Sequence, residues 1–233
     1  MSLQEKFIEH FEGIVIKKNS FGEGHAVFNI LEKNRGKLEI FSFGSDREKS
    51  RRRSILIIPN IIEGVLVKPA KQNYYSIKEI SLINSFHSIN TNLKKMLYLF
   101  FVLEVIDIFD EFETVIPFLY ENTKKFLEKL ELFNDIEKYA FYVIFNLFYA
   151  EGLLPDFKNK ESLINCFLEL SEKFILGDGS KRFLIDIISN NMDFFDSKKI
   201  SNSVIKNLLD FIKLITIKEK NRLLNSISIL YQS

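Results

Sequence analysis

Tryptophan is absent from the chain, and its 233 residues hold one cysteine. That residue, Cys166 in Leu163-Ile164-Asn165-Cys166-Phe167-Leu168, has no partner for an internal disulfide, and its solitude excludes a multi-cysteine zinc site. Its apolar neighbours at helical spacing predict an inert buried thiol, and the chain fits a reducing compartment. Histidine is scarce as well. His10, His25 and His87 stand far apart, none in a metal-binding spacing such as H-E-x-x-H. Without an activated Cys or Ser near a His, nucleophilic catalysis has no visible candidate.

Cofactor loops are missing too. Gly22-Glu23-Gly24 lacks the third glycine of a dinucleotide loop and runs into a strand. Gly177-Asp178-Gly179-Ser180-Lys181 falls short of the phosphate loop G-x-x-x-x-G-K-[ST] and reads as a turn between helices. Asp107, Asp110, Glu111 and Glu113 form an acidic group that could hold a divalent cation. The simpler reading is a solvated junction where one helix ends and acids favour the start of the next. The expectation is no metal, no cofactor and no enzyme activity. Long hydrophobic runs are absent. The most apolar region, 93–109, carries Lys94, Lys95, Glu104 and Asp107, and its uncharged stretch Met96–Leu103 is far below the ~20 residues of a membrane helix. The start of the chain bears Glu5, Lys6, Glu9 and His10 and is not a signal peptide. A soluble, cytoplasmic protein is expected.

What the chain has is an ordinary globular balance, 46% hydrophobic and 27% charged, enough for a sizeable core in one large or two small domains. The net charge is only +1, but it is uneven. Residues 1–80 hold 14 Lys+Arg against 10 Asp+Glu, and residues 81–233 hold 18 against 21. Any polyanion contact therefore belongs to the N-terminal part. Its densest positive run is Lys49-Ser50-Arg51-Arg52-Arg53. That run reads either as a loop presented to nucleic acid or as a solvated surface loop.

The hydrophobic period is two in the first third and helical afterwards. Strands are expected at Phe11–Lys17, Ala26–Leu31 and Leu38–Phe43. A fourth, Ile55–Ile58 with Ile61–Lys68, would bend at Pro59, and Tyr74–Ile83 would be the fifth. Gly, Pro and Asn turns join them. Five short strands in about 70 residues suit a closed oligonucleotide-binding (OB) barrel, which leaves no unpaired edge. Helices are expected at 93–104, Thr114–Leu132, Asp135–Ala150 (capped by Asn134 with Glu137 three positions into the helix), Lys160–Leu176, Lys181–Asn190, Ser201–Ile217 and Lys218–Tyr231. The fold class is α+β: a five-stranded OB-fold barrel over residues 1–84, then an all-helical domain over 85–233.

An OB barrel holds single strands with cations that neutralise phosphates and with aromatic faces that stack on bases. The candidate DNA-binding cations are Lys17, Lys37, Arg47, Lys49, Arg51, Arg52, Arg53, Lys68 and Lys71. Phe21, Phe28, Phe41, Phe43, Tyr74 and Tyr75 are the aromatics, and most are expected in the core, because half of an alternating strand faces inward. Tyr74 and Tyr75 point to opposite faces, so at most one is a platform.

Several short motifs in order carry a family resemblance. Glu12-Gly13-Ile14-Val15-Ile16-Lys17, Phe21-Gly22-Glu23, Gly36-Lys37-Leu38, a basic stretch opened by Gly44 and closed by Lys49-Ser50-Arg51, Tyr75-Ser76-Ile77-Lys78-Glu79, and the helix Tyr139–Pro155 with Phe148, Gly152 and Pro155 together resemble the bacterial recombination mediator family RecO. The likeness covers roughly residues 11–157. It implies an OB domain plus a helical domain, binding of single- and double-stranded DNA, annealing of complementary strands, and help in loading recombinase onto strands coated by single-strand-binding protein. The implied partners are RecR and the C-terminal tail of single-strand-binding protein. Two departures stand out. The four-cysteine zinc site of many members is missing. Phe43-Gly44-Ser45-Asp46 replaces the family's frequent Lys-Gly-x-Arg, which leaves Arg52 and Arg53 to compensate.

Three readings follow. The first is a DNA-binding repair mediator. For the partner tail it would need an apolar patch rimmed by Lys124, Lys125 and Lys129 or by Lys213, Lys218 and Arg222. The second is a protein-interaction adaptor whose barrel binds no DNA, since fold alone does not decide function. The third is a hydrolase or transferase with an unrecognised site, which a metal-dependent activity needing Asp107 or Asp110 would reveal.

Overall fold

The computed structural model describes residues 6–69, 74–154 and 175–231. They form two compact units, Met1–His87 with Asp110–Lys124, and Ser88–Phe109 with Lys125–Ser233.

The first unit is a closed barrel. Its strands are β1 (Lys6–Phe21), β2 (His25–Glu32), β3 (Gly36–Ser42), β4 (Ile61–Pro69) and β5 (Tyr75–Asn84), in the order β1-β2-β3-β5-β4. β1 is long enough to serve two neighbours. Its first half pairs antiparallel with β4, from Lys6↔Pro69 to Ile14↔Ile61. Its second half pairs with β2, from Gly13↔Glu32 to Phe21↔His25, with a register shift between Val15 and Lys17. A bulge of this kind bends a strand and lets a small sheet close. Closure is completed by the short parallel pairing Ile40↔Tyr75 and Phe41↔Ser76. This is the expected five-stranded OB-type barrel followed by helices.

The core follows the period of two. Phe11 and Val15, Ala26, Phe28 and Ile30, Leu38 and Ile40, Ile62 and Leu66, and Tyr75 and Ile77 face inward. Burying one such side chain contributes about 1.5–3 kcal/mol, and a one-residue slip would turn a whole strand's set outward.

The stretch between β3 and β4 departs from expectation. Arg51–Ile55 is a short helix, α1, and β4 starts only at Ile61. Ile55, Leu56 and Ile58 are apolar because they plug the barrel, Leu56 as part of the core and the other two packed against it. Asn60 turns the chain back: its side chain donates to Ile55 O at 3.0 Å and its backbone N–H to Ile57 O at 2.7 Å. An apolar run three to four residues long cannot be assigned to strand or plug by its pattern alone.

Asp110–Lys124 shares the barrel's unit. Phe112 bridges Lys37 in parallel register, and the Glu113 N–H bonds Lys37 O at 2.9 Å. The approach is close: a Cβ on Gly36 would stand 1.8 Å from Thr114 O, and Gly36 has φ +73°. Tyr120 OH donates to Glu12 Oε1 at 2.7 Å. The helix expected from Thr114 therefore begins later, as α3 (Leu119–Leu132). Pro117 disfavours helical backbone at the residue before it, and Phe118 has φ +64°. Asp110 is buried, whereas Glu111 and Glu113 are exposed. Among the described residues no His, Cys, Asp or Glu group could hold a metal.

The second unit is helical. It holds α2 (Leu93–Phe109), the second half of α3, α4 (Glu137–Ala150), α5 (Asp178–Ser189), α6 (Asn202–Lys220) and α7 (Asn225–Leu230). α4 is buried nearly all round, from Tyr139 to Phe148, as suits a central helix. It ends in a Schellman motif, Leu153 N–H to Phe148 O and Gly152 N–H to Tyr149 O, with Gly152 at φ +71°. The expected Asn134 cap is not formed. Ile136 stands at that end without a side-chain bond, and the Glu137 carboxylate pairs with Lys94 at 2.5 Å. Helix α5 opens at Asp178, so Asp178–Lys181 is its first turn and not an inter-helix turn. The expected break near Ile217 comes instead at Asn221, which takes φ +47° after Lys220. The expected helix 160–176 and Cys166 lie, but for its last two residues, outside the described residues. Among the described residues no helix is long and apolar enough to cross a membrane.

Candidate nucleic-acid interface

The outward side of β1, β2 and β3 carries an aromatic face. In β3, Leu38, Ile40 and Ser42 are buried, so Phe41 and, just beyond the strand, Phe43 fall on the other side. Register sets Val27 opposite Phe41, and Phe21 opposite His25. The rings form a continuous chain. Tyr74 lies 4.5 Å from Phe41, Phe41 lies 6.1 Å from Phe21 and 6.5 Å from Phe43, and His25 lies 5.7 Å from Phe21 and 5.6 Å from Phe43. Phe43 is 53% exposed and Phe21 41%. Phe28 and Tyr75 are the core members of the expected aromatic set. The signal for this face in the sequence is the alternation of Glu39, Phe41 and Phe43 on a side that a barrel turns to water.

The basic stretch starts at the edge of this face. Gly44, at φ +71°, gives its backbone N–H to His25 Nδ1 at 3.0 Å. Asp46 N–H bonds Gly24 O at 3.0 Å. Arg47 is exposed, and its stem lies so close to Gly24 that a Cβ there would meet Arg47 Cγ at 2.6 Å. Asp46, an acid inside this basic stretch, is spent on fastening the loop. It accepts from Lys18 Nζ and Ser20 Oγ on β1. Those bonds hold its carboxyl below the ordinary Asp range, Lys18 contributing most, with Arg53 adding attraction.

Of the nine candidate cations, Arg47, Lys49, Arg51 and Arg53 are exposed. Arg52 is half-buried and donates to Lys78 O on β5 at 3.2 Å. Lys17 is half-buried on β1. Lys68 lies 4.8 Å from the Tyr75 ring centre and 3.5 Å from Glu113 Oε1. Lys37 is 4% exposed, with Nζ 4.5 Å from the Phe112 ring centre, so its charge is turned away from solvent. Lys71 is outside the described residues.

Beside α1 runs a groove of about 980 Å³. Arg51, Arg52 and Lys33 meet Glu12, Glu32, Glu63 and Glu79 along its walls. So mixed a lining is a poor track for a row of phosphates. The arrangement best able to hold a polyanion is the aromatic face together with the exposed cations from Arg47 onward.

In the helical unit, the two lysine faces differ. Lys125 bonds Asp193 at 2.5 Å, and Lys129 bonds Asp196 at 2.7 Å and Asp193 at 2.9 Å. Lys213, Lys218 and Arg222 are exposed beside the exposed apolar side chains of Ile217 and Leu223.

No family model matches the chain. Curated relatives do. It is 29% identical over 145 residues to the DNA repair protein RecO of Caldanaerobacter subterraneus subsp. tengcongensis, covering 62% of this chain and 58% of that one. To the DNA repair protein RecO of Bacillus subtilis it is 23% identical over 145 residues, covering 62% and 56%. To that of Listeria innocua it is 22% identical over 221 residues, covering 94% of this chain and 81% of the relative. The chain thus spans less than two thirds of the length of the first two. The matches are distant but agree with one another: each of these relatives is named DNA repair protein RecO, and the chain resembles that family.

Proposed function

We propose that the chain is a non-enzymatic, cytoplasmic mediator of DNA repair and recombination. It binds single- and double-stranded DNA, anneals complementary strands, and helps load recombinase onto strands coated by single-strand-binding protein. The observation that carries this reading is the aromatic face of Phe21, Phe41, Phe43 and Tyr74 with Arg47 at its edge. Exposed rings accept any unpaired base, and exposed cations neutralise phosphates without reading sequence. The names of the relatives support the same direction.

RecR is the proposed protein partner, together with the C-terminal tail of single-strand-binding protein. An acidic tail ending in an apolar residue fits Lys213, Lys218 and Arg222 around Ile217 and Leu223 better than Lys125 and Lys129, whose charges are already engaged.

The test is annealing of complementary oligonucleotides by the purified chain, with and without RecR. Annealing faster than the spontaneous rate is expected. Neither annealing nor DNA binding at low salt would leave the protein-binding adaptor as the better account.

A further inference from the structure

His25 stands within the aromatic face, but its ring has a polar task. Nδ1 accepts the Gly44 N–H at 3.0 Å. An accepting nitrogen carries no proton, so the neutral ring holds its proton on Nε2. The bond joins the start of β2 to the first residue of the basic stretch. Just beyond, Asp46 N–H is tied to Gly24 O, and the Arg47 stem rests against Gly24. Phe43, next to Gly44, stacks its edge on the same imidazole. One side chain therefore fixes both the outermost ring of the face and the opening of the loop.

Resting on the DNA-binding reading above, we infer that His25 is a positioning residue for single-strand binding, and that its protonation frees Gly44 and loosens the aromatic face. A protonated ring has donors on both nitrogens, and Nδ1–H would oppose the Gly44 N–H. The rings on either side, Phe21 of β1 and Phe43 beyond β3, carry no charge. The charged groups closest to it are Glu23, two residues away in the β1–β2 turn, and Asp46 and Arg47 of the basic stretch, which lie against its neighbour Gly24. Asp46 is bonded to Lys18 and Ser20, and Arg47 packs on the glycines, so neither replaces the lost acceptor for Gly44.

Protonation has two opposite effects on DNA. The added charge strengthens binding to any phosphate backbone, duplex included. Loss of ring geometry weakens only the stacking of unpaired bases. The ratio of single-strand to duplex affinity separates them. It is measured on the full chain with oligodeoxythymidylate and a duplex of equal length, at fixed salt, over about pH 8 to 5. The wild-type ratio is expected to fall about tenfold toward acid, the effect of losing one positioning hydrogen bond.

Two variants sharpen the test. His25→Asn keeps an acceptor where Nδ1 stood and holds the high ratio at every pH. His25→Phe keeps a ring without an acceptor and holds the low ratio at every pH, with an unchanged circular dichroism spectrum. A wild-type ratio that is flat with pH, or a His25→Asn chain that follows the wild-type profile, would overturn the inference while leaving DNA binding in place. No binding of either DNA at any pH would overturn both.

Discussion

The rings of Phe41 and Tyr74 lie 4.5 Å apart on the solvent side of the barrel, one at the end of β3 and the other just before β5. Their contact joins the two strands whose short parallel pairing closes the barrel. The aromatic face is thus built at a structurally fixed place, with Phe21 and Phe43 extending it toward solvent.

Phe21 and Phe43 bury little in the core, so alanine at either should leave the fold intact. Each substitution should weaken single-strand binding by about 1–3 kcal/mol, the range for one stacked base, with a smaller effect on duplex. Fluorescence anisotropy with oligodeoxythymidylate measures it. Equal losses on single strand and duplex would argue against stacking.

The arginines of α1 make a separate prediction. Replacing Arg51, Arg52 and Arg53 with Ala removes exposed charge and one bond to Lys78 O. The barrel should stay folded, because α1 is anchored through Ile55 and Leu56. The dependence of single-strand affinity on salt should flatten by about 0.7 in log–log slope for each phosphate that is no longer neutralised. An unchanged slope in the folded variant would make the run a solvated surface.

Gly36→Ala should be strongly destabilising. The new Cβ would strike Thr114 O, and the backbone is at φ +73°. A loss of about 2–4 kcal/mol is expected, in the range of steric and left-handed-backbone mutations. Urea unfolding followed by a probe in the barrel measures it. A loss below about 0.5 kcal/mol, the scale of neutral surface changes, would contradict the tight seating of residues 112–115 on β3.

Acid sensitivity should depend on Tyr120. Its hydroxyl bond to Glu12 is the largest of the influences that hold the Glu12 carboxyl below its ordinary range, with Lys33 adding to it against the effect of burial. A lowered folded-state value means that the unfolded chain binds more protons in the window below the ordinary Glu value, about 4.3. The stabilisation is therefore complete above that value and is lost as pH falls through the folded one. Tyr120→Phe should be less stable than wild type at neutral pH, with the gap narrowing toward acid. Thermal melts over a pH series check this, and a gap that widens toward acid would reverse the assignment.

The sequence shows the barrel's core clearly because Phe28, Ile30, Leu38 and Ile40 alternate with outward residues. It hides α1, since Ile55, Leu56 and Ile58 are as apolar as a strand, and only the barrel they plug explains them. Helix ends are obscure for a related reason. Phe118 and Asn221 adopt left-handed backbone that composition does not announce, and Lys220 continues a helix past Ile217 without changing its period. The nine cations are visible as charges, but whether a charge faces water depends on neighbours distant in sequence. Lys37 lies under Phe112, a residue 75 positions later. The aromatic face is concealed because an alternating strand predicts only that one face is buried, and the other side of these strands is aromatic as well.

The affinity of the purified chain for oligodeoxythymidylate across a salt series, in parallel with a Phe21→Ala/Phe43→Ala chain, tests the DNA-binding face most directly. The predicted result is binding at low salt that weakens steeply as salt rises, and a double variant that binds more weakly at every salt with the same slope. Wild-type binding that is absent at low salt, or a double variant indistinguishable from wild type, would contradict it.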